Sequence, residues 1–345
     1  MNLRELAQLV QLSPSAVSLA LRGSLKISAA TKKRVRNLAR KVGYRPDPRL
    51  STIMSYLRKP ATVRQAACLG VISFYEALRP WESSIHLARV HNGMMRRANE
   101  LGYRLEPLYL RAPGMNVRRF RSILEARGIE GLLCLGAPDF YQDFPAKLDV
   151  SAIVTQGLSV RTPLHRVTSH TFNDTVAALD RLHQFGYLRP GLVLGQHEDL
   201  RCAHLHSAAY LGWCEHRLGL GRTPPICRLK KVEPEPLLLW LKQHRPDALV
   251  FVHNHDVLDE FRDMLRKNLV RVSQDVGVVV ISPFLENSGF DGLQENQRLI
   301  GARMVELLTA RIAIRDFGIP THPHIEMVES YWIKGNSLRR LGSQR

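Results

Sequence analysis

The sequence predicts a chain in two parts: an all-α N-terminal block of short helices with a linking helix, then a larger α/β core whose parallel sheets form two lobes. Three observations carry this expectation. Basic charge is concentrated at the N-terminus, capped amphipathic helices at helix-turn-helix spacing fill the first 45 residues, and from Cys68 onward short β-branched runs alternate with helical segments.

The chain has 345 residues and a formal net charge of +18. Residues 1–65 hold fourteen Lys or Arg against Glu5 and Asp47, a net +12, so the other 280 residues share only +6. A basic module on a nearly balanced body points to a polyanionic partner, with nucleic acid the first candidate. No apolar run approaches the roughly 18 residues of a membrane span, and the N-terminus has no signal-peptide h-region, so the expected location is cytoplasmic, with no membrane partner. Five dispersed cysteines without a CxxC pair indicate neither a disulfide framework nor a zinc site.

Three helices are predicted in residues 1–45. Asn2 and Glu5 form a capping box for the first, with Leu3, Leu6, Ala7 and Val10 on one face. In "LSPSAVSLALRG" Ser13 is a natural N-cap, Pro14 suits the first helical position, and Val17, Ala20 and Leu21 point inward. Ser28 caps a third, "AATKKRVRNLARKV", whose Val35, Leu38, Ala39 and Val42 are apolar and whose other face is basic. Two short helices with a third packed across them make the helix-turn-helix arrangement, in which the second helix enters the major groove. Pro14, Ser15 and Ala16 occupy its first turn, although capping alone would account for Ser13 and Pro14.

A linking helix is predicted within residues 46–60, "RPDPRLSTIMSYLRKP". Leu50, Ile53, Met54 and Leu57 recur at helical spacing, but so short an amphipathic helix needs a partner. That partner is a second copy of itself, DNA, or the chain's own body, and Ile53, Met54 and Leu57 are residue types that wedge between base steps. Beyond it, "CLGVISF", "GLLCLG", "SAIVTQG", "GLVLG", "ALVFVH" and "VGVVVIS" read as parallel strands buried on both faces. Helical segments separate them, giving a doubly wound core in which ligands bind at strand carboxyl ends. Its size favours two lobes around a cleft.

These residues resemble the LacI (lactose-repressor) family of bacterial transcription regulators over essentially the whole chain. "LAQLVQLSPSAVSLALRG" is similar to the family signature, "ISAATKKRVRNLARKVGYRPDP" to its third helix and hinge entry, and "HQFGY", "YLGW", "RPDALVFVHN" and "DVGVVVIS" follow its core. The resemblance implies a headpiece at 1–45, a hinge helix at 46–60, and a core like that of periplasmic sugar-binding proteins. The expected lobes are 66–163 with 289–318, and 164–288 with 319–338. It also implies DNA contacts from Ser13, Pro14, Ser15, Ala16, Ser18, Leu19, Arg22, Ser28, Thr31, Arg34, Ile53, Met54 and Leu57. By ungapped count Ile53 takes the place of the family's intercalating Leu, with Met54 and Leu57 as alternatives.

Departures from the family are informative. Gln11 replaces the usual turn Gly, at about 1 kcal/mol if the position is left-handed. Leu19 stands where an Arg is common, and a bidentate Arg–guanine contact contributes roughly 1–3 kcal/mol of discrimination, so the operator should differ there. Sugar-holding positions fall on Ala209, His253 with Asn254, Ser282 and Gln156, which leaves several hydrogen-bonding groups missing. The candidate effector residues are therefore Ser73, Phe74, Tyr75, Trp81, Gln156, Trp213, Asn254, His255, Asp256 and Ser282.

"HNHD" at 253–256 lacks further ligands for a metal. No P-loop, GxSxG elbow or ordered base–nucleophile set suggests catalysis, and no cofactor is expected. The implied function is a DNA-binding regulator, expected to repress. It would sit as a homodimer on a near-palindromic double-stranded operator, under control of a small molecule, expected to be a carbohydrate. An exported solute-binding protein and an enzyme fused to a DNA-binding module are the competing classes. The C-terminal "SLRRLGSQR" lacks the leucine heptads of a tetramerising tail.

Overall fold

The computed structural model describes residues 3–21, 27–44, 67–110, 112–138, 143, 144, 148–219, 225–230, 234–253 and 257–341. The chain divides into two compact units, Met1–Gln65 and Ala66–Arg345. In the first, α1 (Leu3–Leu9), α2 (Pro14–Leu21) and α3 (Ala29–Lys41) enclose a small core of Leu6, Ala7, Val10, Val17, Ala20, Val35 and Ala39. The turn after α1 places Gln11 at φ 54°, and the Leu12 N–H returns to the Ala7 carbonyl at 3.0 Å, a Schellman closure that demands left-handed backbone at Gln11. The linking helix expected at 46–60, and with it Ile53, Met54 and Leu57, lies outside the described residues, as does Arg22.

The second unit holds two six-stranded sheets. In chain order its elements are β1 (Ala67–Ile72), α4 (Ile85–Glu100), β2 (Tyr103–Pro107), α5 (Val117–Arg127), β3 (Gly131–Cys134), β4 (Ala152–Gln156) and β5 (His165–Ser169). They continue with α6 (Thr171–Gln184), β6 (Pro190–Gly195), α7 (Gln196–Arg201), α8 (Leu205–Leu218), β7 (Cys227–Leu229), α9 (Pro234–His244), β8 (Ala248–Val252) and α10 (Leu258–Lys267). The last are β9 (Gly277–Ser282), β10 (Asp291–Gln294), α11 (Gln297–Ile314), β11 (Ile325–Val328) and β12 (Tyr331–Ile333). One sheet runs β11-β5-β4-β3-β1-β2 and the other β12-β10-β9-β8-β6-β7, with all pairs parallel except β10–β12. All six strands expected from apolar runs are present, and the order of each sheet reverses beside its first strand, β1 or β6, where a doubly wound fold opens a crevice.

Sheet membership moves the lobe boundaries. β5, expected in the second lobe, pairs β4 in the first; β10, expected in the first, pairs β9 in the second; and β11 returns to β5. The chain therefore crosses between lobes after Ser169, after Gln294 and after Val328, not at 163/164, 288/289 and 318/319. A strand covered on both faces carries the same apolar pattern in either sheet, so only pairing decides where it belongs.

Within the first lobe α4 and α11 pack backbone to backbone. A Cβ at Gly93 would lie 2.0 Å from the Arg298 carbonyl oxygen, and one at Gly301 2.0 Å from that of Val90. Among the described residues no helix is long and apolar enough to cross a membrane.

Candidate functional site

In the N-terminal unit α2 divides by face. Val17 and Ala20 are buried, Leu21 packs against the same core, and Ser15 with Leu19, one turn on, lies opposite them. The Ser13 hydroxyl accepts from the Ala16 N–H at 3.2 Å and lies 2.9 Å from the Ser15 hydroxyl, so the cap holds the first turn of that face. Ser28 caps α3 in the same way, accepting from the Thr31 N–H at 3.2 Å with the Thr31 hydroxyl at 2.9 Å. Arg34 is brought to the end of α1, where it donates to the Val10 carbonyl at 3.0 Å and ties first helix to third. Lys33, Arg36, Arg40 and Lys41 remain exposed along α3. This unit thus pairs an outward helix face bearing hydroxyls and one leucine with a basic helix, which suits a phosphate backbone and base edges.

The larger unit carries a cleft between its lobes at the carboxyl ends of the strands. Its outer part, about 610 Å³, is walled by Tyr75, Pro80, Ile85, Pro138 and Phe284, and it also meets Glu76, His197 and Glu198. An inner part of about 70 Å³ lies among Gln156, Ser159, Thr168, Ser169, Glu295 and Leu135, and the two share His86 and Arg201. The Gln156 amide nitrogen lies 2.9 Å from His86 Nε2, while the buried Gln156 Oε1 has no hydrogen-bond partner among the described residues. Glu198 is buried at the start of α7, its carboxylate folded back over Gly195 and 4.0 Å from His253 Nδ1. Burial pushes the Glu295 carboxyl up from its ordinary value, although Gln297 and Ser169 donate to it.

Two arginines span the lobes. Arg201, from the second lobe, donates to the Pro138 carbonyl of the first at 3.2 Å. Arg89, from α4, donates to the Pro283 carbonyl, pairs with Glu286 at 3.4 Å and stands over the Phe284 ring at 5.8 Å. Behind the cleft the crossovers are tied together. Ser330 donates to Asp174 at 2.8 Å, and His170 and Asn173 hold Glu329 at 2.8 and 3.0 Å.

Of the candidate effector residues, Tyr75 and Gln156 line the cleft. Five others belong elsewhere. Phe74 lies in the core edge-on to Phe144, and Ser73 is buried beside it. Trp81 stacks on His91 at 4.1 Å and is not among the residues that line the cleft. Trp213 sits in the second lobe's core with its N–H on Asp180 at 2.8 Å, and Ser282 is fully buried, capping the turn at the Phe284 N–H. Phe74, Trp81, Trp213 and Ser282 are each claimed by another neighbour, a ring, a carboxylate or a backbone N–H. Asn254, His255 and Asp256 lie outside the described residues. His86 and Arg201 were not foreseen, since a single His or Arg in a helical segment carries no positional signal. Among the described residues no group of three or more His, Cys, Asp or Glu could hold a metal. All five cysteines are free, and burial raises every thiol.

Residues 2–47 match the lacI family of bacterial regulatory proteins. Among curated proteins no relative of this sequence is found. Solved structures share the fold at low identity. A lac repressor dimer bound to operator and the anti-inducer ONPF is 16% identical, with TM-score 0.59 over 98% of this chain and 99% of that one. A complex of the transcriptional regulator CelR with cellobiose is 17% identical, with TM-score 0.56 and the same coverage. A periplasmic binding protein/LacI regulator from Alkaliphilus metalliredigens, complexed with D-xylulofuranose, is 13% identical, with TM-score 0.57 over 79% of this chain and 98% of that one.

Proposed function

We propose, for a chain whose residues 2–47 match the lacI family of bacterial regulatory proteins and whose core shares the fold of the Lac repressor, a ligand-controlled DNA-binding regulator acting as a homodimer. Two headpieces would occupy the half-sites of a near-palindromic operator, with α2 in the major groove and the segment 46–60 entering the minor groove between them. A small molecule, of carbohydrate type, would bind in the interlobe cleft and shift the lobes' relative orientation. By linkage its effect on DNA affinity equals the effect of DNA on its own affinity. As a repressor the protein would occlude its operator.

The observation that carries this reading is the N-terminal unit itself: a match over residues 2–47 coincides with a capped α2 whose Ser15–Leu19 face points away from the core beside a basic α3. Selection from random DNA followed by footprinting tests it. Two protected half-sites related by a dyad, with affinity falling steeply as salt rises, are the expected result. Protection of a single half-site would remove the homodimer, and no protection of any selected sequence would remove the function.

A further inference from the structure

The inner part of the cleft, about 70 Å³ against about 610 Å³ for the outer part, is much the narrower of the two. Gln156, Ser159, Thr168 and Ser169 line it together with Leu135 and Ile300. Its charged members are Arg201 and Glu295. Arg201 spends one donor on the Pro138 carbonyl, and among the described residues no carboxylate lies within ion-pair distance of it. Five N–H donors leave a guanidinium with several directions still to satisfy. Arg201 is half-buried between the two lobes, and a carboxylate offsets the desolvation of a guanidinium better than a neutral hydroxyl does. Outside this pocket the cleft widens to about 610 Å³ between Tyr75 and Phe284, wide enough for a polyhydroxylated body.

We propose that the cleft is built for a sugar acid, with its carboxylate in the inner pocket on the free edge of Arg201 and its hydroxylated chain or ring in the outer part. The unspent Gln156 Oε1 would accept from the first hydroxyl beyond the carboxylate. Burial raises the Glu295 carboxyl from its ordinary value, which eases the approach of an anion to the same pocket. Because Arg201 also holds Pro138 in the opposite lobe, the anion would sit on the residue that bridges the seam. This assignment rests on the cleft being the effector site.

The test is calorimetric titration of the full chain with matched pairs: D-gluconate and D-glucose, D-galacturonate and D-galactose, D-xylonate and D-xylose, at constant ionic strength. Binding confined to one or more acids is expected. R201Q should weaken it roughly 10- to 100-fold, as loss of a charge-assisted bond entails, and R201K should fall between. An unchanged thermal midpoint of ligand-free R201Q shows that the loss is local. Acids that bind R201Q as tightly as the parent chain overturn the proposal. Neutral members binding as well as their acids also overturn it, while leaving the cleft as the effector site. Absence of binding by every member at millimolar concentration overturns the acid assignment and counts against a carbohydrate effector as well.

Discussion

Gln11 sits at φ 54°, backbone that an L side chain enters at a cost of roughly 1–2 kcal/mol. The Schellman closure of α1 requires that conformation whatever residue occupies the position, so the strain is imposed by the turn. Gln11→Gly should therefore stabilise the N-terminal unit by about 1 kcal/mol, less the extra unfolded-state freedom of glycine, and Gln11→Ala should not. Amide hydrogen exchange of Leu6, Val17 and Val35 in the full chain measures the difference. Leu19 makes the opposite case, a residue under no strain. It lies on the outward face of α2, apart from the core formed by Val17 and Ala20. Leu19→Arg should leave thermal stability within about 0.5 kcal/mol and shift the selected operator toward guanine at one position of each half-site, read by sequencing of selected DNA. The family resemblance singled out both positions, Gln11 where the family has a turn Gly and Leu19 where it commonly has Arg. The tie from Arg34 to Val10 was not legible in the sequence, because it joins residues 24 apart in the chain.

At the scale of elements, α4 and α11 decide how the first lobe is built. Gly93 and Gly301 let the two backbones touch, and each would direct a Cβ into a main-chain carbonyl that cannot swing aside. Gly93→Ala and Gly301→Ala should each destabilise the core by about 1–3 kcal/mol or more, seen as a lower urea midpoint at unchanged slope. Glycine in a helix interior costs about 1 kcal/mol relative to alanine, and this close approach explains why two such residues are kept. Strands built of continuous apolar residues were predictable. β5 was not: "HRVTS" looks like a polar loop, yet it is buried along its length, with Arg166 donating to the carbonyls of Val160 and Thr162 and His165 held by Asp316 at 2.9 Å. Polar side chains satisfied by partners distant in sequence give no periodic signal.

For the molecule as a whole, the three crossovers meet at a buried carboxyl group. Burial, with Glu295 and Glu329 nearby, raises Asp174 from an ordinary 3.8 to about 7, despite the bond from Ser330. The folded chain thus keeps a proton that the unfolded chain has released. Its contribution favours the folded state below pH 3.8, is lost progressively as pH rises toward 7, and above that remains as a constant penalty. Asp174→Asn, which can still accept from Ser330, should flatten the decline in stability across that interval, as urea unfolding at a series of pH values would register. The sequence by itself determined the N-terminal helical unit, its capped outward helix, the parallel α/β core and the existence of two lobes. All of these follow from local caps, charge and hydrophobic period, which neighbouring residues set. Which lobe owns β5, β10 and β11, and which side chains meet in the cleft, only the tertiary structure decided. The return of β11 to β5 pairs Ile325 with Arg166, and the approaches of His86 to Gln156 and of Arg201 to Pro138 join residues 70 and 63 positions apart, separations that no local pattern encodes.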